Sequence, residues 1–523
     1  MKAHIVGGGF GGLAAAVHLI RNAGVSGEDI TIYEANERLG GAFSLGGSAQ
    51  SGYILPTSSI FDAQFRCTFD LLETIPSATD PALSVKDEFF AFNARHPYHD
   101  RAHIIDRSGH IVHGAHFGLS VRDRLDLVRL VLTPEAVLDG RRIEEFFSPH
   151  FFSTEFWLLW ATTMGSLPQH SAMELRRYMN RFLYLFPDLS DMSHVLRTPL
   201  NQYQAFIEPM VVWLRPRGVH FLTSAFVLDM GFAPSPGRIT VNRLDCERDG
   251  AVTSIAVAPE DLVLVTLGSQ ADDLSVGSMN EAPRPRRNGQ SWALWKRLAQ
   301  GRTVFGNPDV FFGAARVPDS HWVTFTVTTT GTQFLDRMCA LTGSEPGSGG
   351  LVTLKDSGWL LSLSIFHQPE IIGQPRGTSI WWGYGLYPER KGDFVPKRMD
   401  QCTGAEILEE VLRQLRFDGQ LDAIMASSIC VPCDLPYANN IWLKRSRTDR
   451  PRPVPEGASN LGLIGQYVEV PRDIAFTIEY SARAAWEAIH LLLKRGPPPP
   501  PVYQGLYDPK ALFAALKVFA GTR

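Results

Sequence analysis

Residues 4–20, HIVGGGFGGLAAAVHLI, constrain the fold of this chain more than any other stretch. Gly7, Gly9 and Gly12 fit G-x-G-x-x-G. Residues 3–6 read as a strand, 13–23 as a helix rich in Ala and Leu, and DITIYEA at 29–35 as the next strand. That order predicts a β-α-β unit at the start of a parallel sheet. In such a unit Gly7 makes the tight turn, Gly9 lets the backbone approach a pyrophosphate, and Gly12 lets helix pack on strand. The helix N-terminus then faces the phosphates with its partial positive charge. Glu34 ends the second strand about 20 residues on, where an acid binds ribose hydroxyls. A lone G-x-G-x-x-G is weak evidence, but strand, turn, helix, strand and acid in order predict a dinucleotide site.

The chain is 523 residues long, enough for more than one structural unit. With 44% hydrophobic and 20% charged residues it has the makeup of a globular enzyme that buries a large core. A net charge of −4 offers no basic footprint for nucleic acid. Six Cys over this length do not make a disulfide framework. Cys430 and Cys433 form a CVPC pair, but no second pair completes a four-ligand metal site, so no metal is expected. A thioredoxin-like context is also missing, and the pair reads as structural thiols. No signal peptide precedes the first strand, and no apolar run reaches about 18 residues. The expected location is cytoplasmic.

Residues 122–186 read as helix-rich, with apolar residues at helical spacing in RDRLDLVRLVL and SAMELRRYMNRFLYLF. Residues 204–267 read as strands, ending in the buried run DLVLVTLGS. TGSEPGSGG at 342–350 reads as a loop, and 321–330, 351–366 and 381–387 as strands. NLGLIGQYVEVPRDIAFTIEYSARAAWEAIHLLL combines strand and loop and ends in a long helix. PPPPP at 497–501 is a stiff extended linker before a last amphipathic helix, DPKALFAALKVFAG. Such a helix packs on its own domain or rests on a membrane surface.

A second glycine pair, Gly40-Gly41, follows six residues after Glu34. Together with a late segment, GQYVEVPRD, that could close over a flavin, it resembles FAD oxidoreductases of the two-dinucleotide-binding flavoprotein type and favours FAD over NAD. The expected fold is α/β: an FAD-binding Rossmann-like domain of that type with an inserted α+β substrate domain and a helical lid. We expect the FAD-binding domain to be discontinuous over 1–75, 204–320 and 455–495. A helical substrate and lid region would span 76–203, a β-rich substrate-binding region 321–454, and the linker with its helix 496–523.

Ordered matches along nearly the whole chain make the resemblance specific. They include IEEFFSPHFF at 143–152, HSAMELRRYMNRF at 170–182, FGNPDVFF at 305–312 and LVTLKDSGWLLS at 351–362. VPCDLPY at 431–437 and IGQYVEVPRDIAFTIEYSAR at 464–483 continue the series. The chain resembles the FAD-dependent fatty acid double-bond hydratases, the oleate hydratase family, once called myosin-cross-reactive antigens. That resemblance implies addition of water to a double bond of a long-chain unsaturated fatty acid, giving a hydroxy fatty acid with no net electron transfer. Such a reaction needs a proton donor for the alkene and a base that guides water.

The resemblance implies a Tyr as proton donor, and Tyr178 matches it. A phenol, with pKa of about 10, needs nearby positive charge for this task, and Arg181 at i+3 is placed to reach it. The water-activating Glu of the family follows an RGGR loop. Here that stretch reads Pro56-Thr57-Ser58-Ser59 and then Ile60, which cannot accept a proton. Asp62 is the nearby candidate for a substitute base or is merely a surface acid; some hydratases of the family also lack the Glu. Asn439 and its neighbour Asn440 stand where the family holds the substrate carboxylate, or else they cap a turn. Flavin contacts carried over are Gly465, Gln466, Glu469, Pro471, Asp473 and Phe476, with Gly268 and Ser269 from the TLGS turn. Many members dimerise through extra N-terminal helices. With the glycine loop at residue 7, a monomer or weak dimer is expected. Two other functions fit the altered loop: a flavin-dependent redox or isomerising enzyme on a lipid or polyene, and a non-catalytic flavin- or lipid-binding homologue.

Overall fold

The structure is a computed structural model that describes residues 1–98, 102–112, 115–188 and 192–520. Residues 521–523 of the expected tail segment, and 99–101, 113–114 and 189–191 of the expected helical region, lie outside the described residues.

Among the described residues a five-stranded parallel sheet runs in the order Leu461–Ile464, Leu262–Thr266, Ala3–Val6, Ile30–Tyr33, His220–Leu222. Ile5 stands opposite Leu264 on one side and Ile32 on the other, and all three are fully buried. Such unbroken apolar runs are what a parallel sheet covered on both faces requires. The helix Phe10–Ala23 begins directly after the first strand. It packs against the late helix Ile478–Leu493, whose Thr477 hydroxyl accepts the Tyr480 N–H as an N-cap. A three-stranded antiparallel unit, Ala225–Phe232, Val241–Arg248 and Ala251–Ala256, follows the fifth strand in sequence.

A second sheet has eight strands among the described residues, centred on Trp322–Thr330, Thr378–Gly385 and Ser428–Leu435. Its sides alternate as the pleat demands. Val323, Phe325, Val327 and Trp381 enter a core with the helices Gln333–Thr342 and Gly404–Gln414. Trp322, Trp382 and Leu435 enter a different apolar cluster on the opposite face. The same alternation separates Cys430 from Cys433, one in each cluster, so these two free thiols cannot bridge. Burial pushes both thiols up.

Two placements differ from the sequence expectation. The strands His103–Ile105 and Ile111–Val112, from the stretch read as helical lid, extend the second sheet, as does Ser275–Val276 from the stretch read as the dinucleotide domain. Residues 203–214, read as the start of strands, form a π-turn at Tyr203–Ile207 and a helix at Glu208–Leu214. Phe206, Ile207, Met210, Trp213 and Leu214 are buried at helical spacing, and that period wins over the alternation that begins only at residue 219. The last helix, Pro509–Ala520, turns Ala511 and Ala515 inward and leaves Phe513 and Leu516 exposed. No helix among the described residues is long and apolar enough to cross a membrane.

Candidate functional site

The C-terminal ends of the parallel strands open into a cavity of about 330 Å³. One end is the glycine turn. Gly7 has φ of 103°, and a Cβ there would stand 2.9 Å from Thr266 Oγ1. A Cβ on Gly12 would stand 1.9 Å from the Gly7 carbonyl oxygen, so only glycine lets the helix start this close to the strand. Gly9, Gly40, Gly41, Gly268, Ser269, Gly465, Gln466 and Phe476 all line the same cavity, with Gly7 and Glu34.

Glu34 is buried, and its carboxylate accepts N–H bonds from Gly8 and Asn36, each 2.8 Å, and from the Asn36 amide at 2.7 Å. A carboxylate offers about four lone-pair sites. Three are taken, so one is left to receive a hydroxyl. Thr266 Oγ1 is buried in the wall without a hydrogen-bond partner. An orphaned hydroxyl beside a cradle too tight for a Cβ fits a dinucleotide pyrophosphate.

The other end of the cavity is apolar. Trp322, Trp382, Leu435, Ala438 and Phe476 form its wall. Threonines on the same sheet face place the segment that departs from the hydratase pattern. Thr324 Oγ1 donates to the Pro56 carbonyl at 2.8 Å, and Thr326 Oγ1 accepts the Leu55 N–H at 2.9 Å. Thr57 Oγ1 in turn donates to the Ala42 carbonyl at 2.8 Å. These bonds carry Pro56, Thr57, Ser58 and Ser59 into the wall, while Ile60 packs outward with Ile104, Leu159 and Val195.

Several residues named from sequence stand elsewhere. Tyr178 is buried on the helix Ala172–Arg181, its ring 4.2 Å from that of Trp442. Its hydroxyl accepts the Phe476 N–H at 2.9 Å, one residue behind the cavity wall. Burial first, then the Glu174 carboxylate, push this phenol well above its ordinary value, against the opposing pull of the Phe476 N–H and Arg450. Arg181 does not serve Tyr178. It donates to the Gln64 carbonyl at 3.0 Å and lies 3.5 Å from Asp62. Asp62 is therefore not a surface acid: it is buried on the short strand Phe61–Asp62, outside the cavity wall, with Gln64 N–H on its carboxylate at 2.7 Å.

Asn439 and Asn440 are also buried outside the wall. The Asn439 amide donates to the Gly165 carbonyl. The Asn440 amide donates to the Phe311 carbonyl at 2.8 Å, and its oxygen accepts the Tyr467 hydroxyl at 2.7 Å. Both are used in holding backbone and core.

Of the late segment, Glu469, Pro471 and Asp473 lie outside the wall. Pro471 is exposed. Asp473 pairs with Arg483 at 3.0 Å. Glu469 pairs with Arg177 at 2.6 Å and Arg445 at 3.0 Å, and Glu174 lies 2.7 Å from Arg445 and 3.2 Å from Arg450. Burial pushes the Glu469 carboxyl up, but Arg445, Arg177 and Arg450 outweigh it and hold it at about 2. This buried network clamps the helix bearing Tyr178 to the segment bearing Gln466 and Phe476. Gly12 acts behind the wall in the same sense, through packing.

The sequence reading missed Asp272, Thr266, Trp322, Thr324 and Trp382 in the wall. Asp272 had a local signal, three residues beyond Ser269 in the recognised turn. The tryptophans had none, since Trp381 and Trp382 are distinguished only by which face of the sheet is covered.

Residues 1–490 match the model of the MCRA family. The chain is 32% identical to the oleate hydratase of Streptococcus pyogenes serotype M49 (strain NZ131) over 528 residues, 98% of this chain and 89% of that one. It is also 32% identical to the linoleate hydratase of Lactiplantibacillus plantarum over 534 residues, 92% of each. Among solved structures, the cyclohexylamine oxidase from Brevibacterium oxydans IH-35A shares the fold with a TM-score of 0.54 at 11% identity, covering 94% of this chain and 98% of that one. The chain belongs to the MCRA family.

Proposed function

We propose that this member of the MCRA family is an FAD-dependent hydratase that adds water across a carbon–carbon double bond of a long-chain unsaturated fatty acid. The observation that carries the reading is the cavity's continuity: a dinucleotide cradle runs directly into an apolar lobe walled by Trp322, Trp382 and Leu435. The two hydratase relatives, matched over nearly the whole chain, supply the reaction class. Glu34 and Thr266 would hold the ribose and pyrophosphate, with Gly9, Gly40 and Gly41 leaving room for close backbone approach. A flavin held there would supply shape and charge and no electrons, since the net reaction transfers none.

Tyr178 is the proposed proton donor. Burial and Glu174 keep the proton on this phenol at neutral pH but make it a weaker acid than a free phenol, so the assignment stands on its match to the family's tyrosine and its place beside Phe476. The Tyr178 hydroxyl accepts the Phe476 N–H, which leaves its own proton to donate and also positions Phe476 in the wall. Trp322, Trp382 and Phe476 exclude bulk water from the developing cation. Incubation of the FAD-loaded protein with oleate and linoleate in heavy-oxygen water, read by mass spectrometry, is expected to give a hydroxy acid carrying the solvent's oxygen. No such product from any unsaturated acid would remove the reading.

The segment Pro56–Ser59 in the wall favours one alternative, a flavin-dependent redox or isomerising reaction on a lipid or polyene. Flavin bleaching linked to turnover, or double-bond migration without gain of oxygen, would identify it.

A further inference from the structure

Hydration needs a group that accepts the proton of the attacking water, and the family's Glu is replaced by Ile60, which faces away from the cavity. The ionisable side chains in the cavity wall are few among the described residues: Tyr33, Glu34, Asp272 and Tyr467, with no Lys, Arg, His or Cys. Three of the four are already used. The Tyr33 hydroxyl pairs with His4 Nδ1 at 2.9 Å, and the Tyr467 hydroxyl donates to Asn440 at 2.7 Å. Glu34 gives three acceptor sites to Gly8 and Asn36 and keeps its fourth for the ribose. Asp62 is outside the wall and beside Arg181.

Asp272 remains. One of its oxygens accepts the Ser291 N–H at 3.1 Å, which fixes the carboxylate against the first turn of the helix Gln290–Ala299. Its neighbours tie it to the apolar lobe. Gln270 donates to the Ala438 carbonyl at 2.5 Å, and Ala271 and Leu274 pack on the cluster that contains Trp322, Trp382 and Leu435. Resting on the hydratase reading, we propose that Asp272 is the general base that takes the proton from the attacking water.

In this step the alkene carbon farther from the oxygen gains a proton from the acid. The water oxygen bonds to the other carbon, and the water O–H bond breaks with its proton passing to Asp272. Exchange with solvent then returns that proton and recharges the acid, so the sum is one water added and no change of oxidation state. The groups facing Asp272 are Asp273, Tyr437 and Tyr467, with no cation among them. Burial first, with Asp273 adding to it, pushes the carboxyl up to about 6 against the Ser291 bonds. The basic form therefore fills as pH rises through that value.

The test uses the full chain loaded with FAD, with oleate and linoleate as probes in heavy-oxygen water. Asp272→Asn keeps an acceptor for Ser291 and removes the base, so product formation should fall by ~100-fold or more, the size of a lost general base. Melting temperature should stay at the wild-type value, and the two proteins are compared at saturating FAD because Asp272 lines the cavity that holds it. Wild-type activity should rise with pH through about 6, and the residual activity of the variant should lack that limb. If Asp272→Asn does not fold, Asp272→Glu should keep the limb and Asp272→Ser should lose it. Wild-type activity that survives in Asp272→Asn, or keeps its limb there, overturns the assignment alone. A wild-type protein that adds no water to either acid removes the hydratase reading, and this assignment with it.

Discussion

Tyr178 and Glu34 show how one residue's surroundings decide its use. The two share burial but differ in partners: Glu34 faces N–H donors on a strand end, whereas the Tyr178 hydroxyl meets a single N–H, packs against Trp442 and feels the Glu174 carboxylate and Arg450 nearby. Replacing Tyr178 with Phe removes the proposed proton and also the acceptor for Phe476 N–H. Turnover should drop by ~100-fold or more if the phenol is the acid. Flavin uptake, followed by absorbance, should persist, because Tyr178 is not in the wall. Full activity in this variant would leave the phenol with a structural role only. Asn439 was legible as a polar residue in the right stretch. Its use was not, because whether an amide meets a ligand or a carbonyl depends on where Gly165 lies in space.

At the scale of elements, the helix Ala172–Arg181 and the segment 465–476 are joined by charge in the interior. Breaking one partner of a buried ion pair strands the other, at a cost of about 3–5 kcal/mol. Glu469→Gln should therefore lower the denaturation midpoint markedly, read by urea titration. The same network gives a pH dependence of definite sign. The Glu469 carboxyl is depressed in the fold from 4.5 to about 2. Its stabilising contribution is full above the unfolded value and is lost as pH falls through the folded one. Acid unfolding of the wild type should be steeper below about 4.5 than that of Glu469→Gln, whose side chain does not titrate. Equal acid sensitivity of the two proteins would show that the network does not act this way. The elements themselves were largely readable, since Ala3–Val6, Phe10–Ala23 and Ile478–Leu493 carry strong periodicity and clear turn or cap signals. Residues 203–214 were not, because a short apolar run fits both periods until its neighbours are known.

For the whole molecule, the cavity draws on residues from Val6 to Ser481, so a bound cofactor would tie together chain segments far apart in sequence. A ligand that binds only the folded state stabilises it by ~2.7 kcal/mol at a concentration of one hundred dissociation constants. Added FAD should raise the melting temperature measured by calorimetry, and a protein that takes up no flavin and shows no shift would end the cofactor reading. The expected division into a dinucleotide domain, a helical region and a β-rich region follows the sheets only in part. The strands His103–Ile105 and Ser275–Val276 join the second sheet from stretches assigned to the other two. Strands so short carry too few residues to declare a partner, and a parallel pairing such as His103 beside Val352 has no local turn to announce it.

The amino-acid sequence by itself determined the dinucleotide turn, the parallel β-α-β start and the family, because these rest on local backbone demands and on residues in linear order. Gly12 must be glycine wherever a helix begins that close to a strand, and no distant contact changes that. The tertiary structure alone decided which polar groups face the cavity. Asp62, Asn439 and Glu469 are as polar as Asp272, yet packing gives them Arg181, the Gly165 carbonyl and Arg177 as partners, while Asp272 is left in the wall. The availability of a carboxylate for chemistry depends on its whole surroundings, and those are assembled from segments hundreds of residues apart.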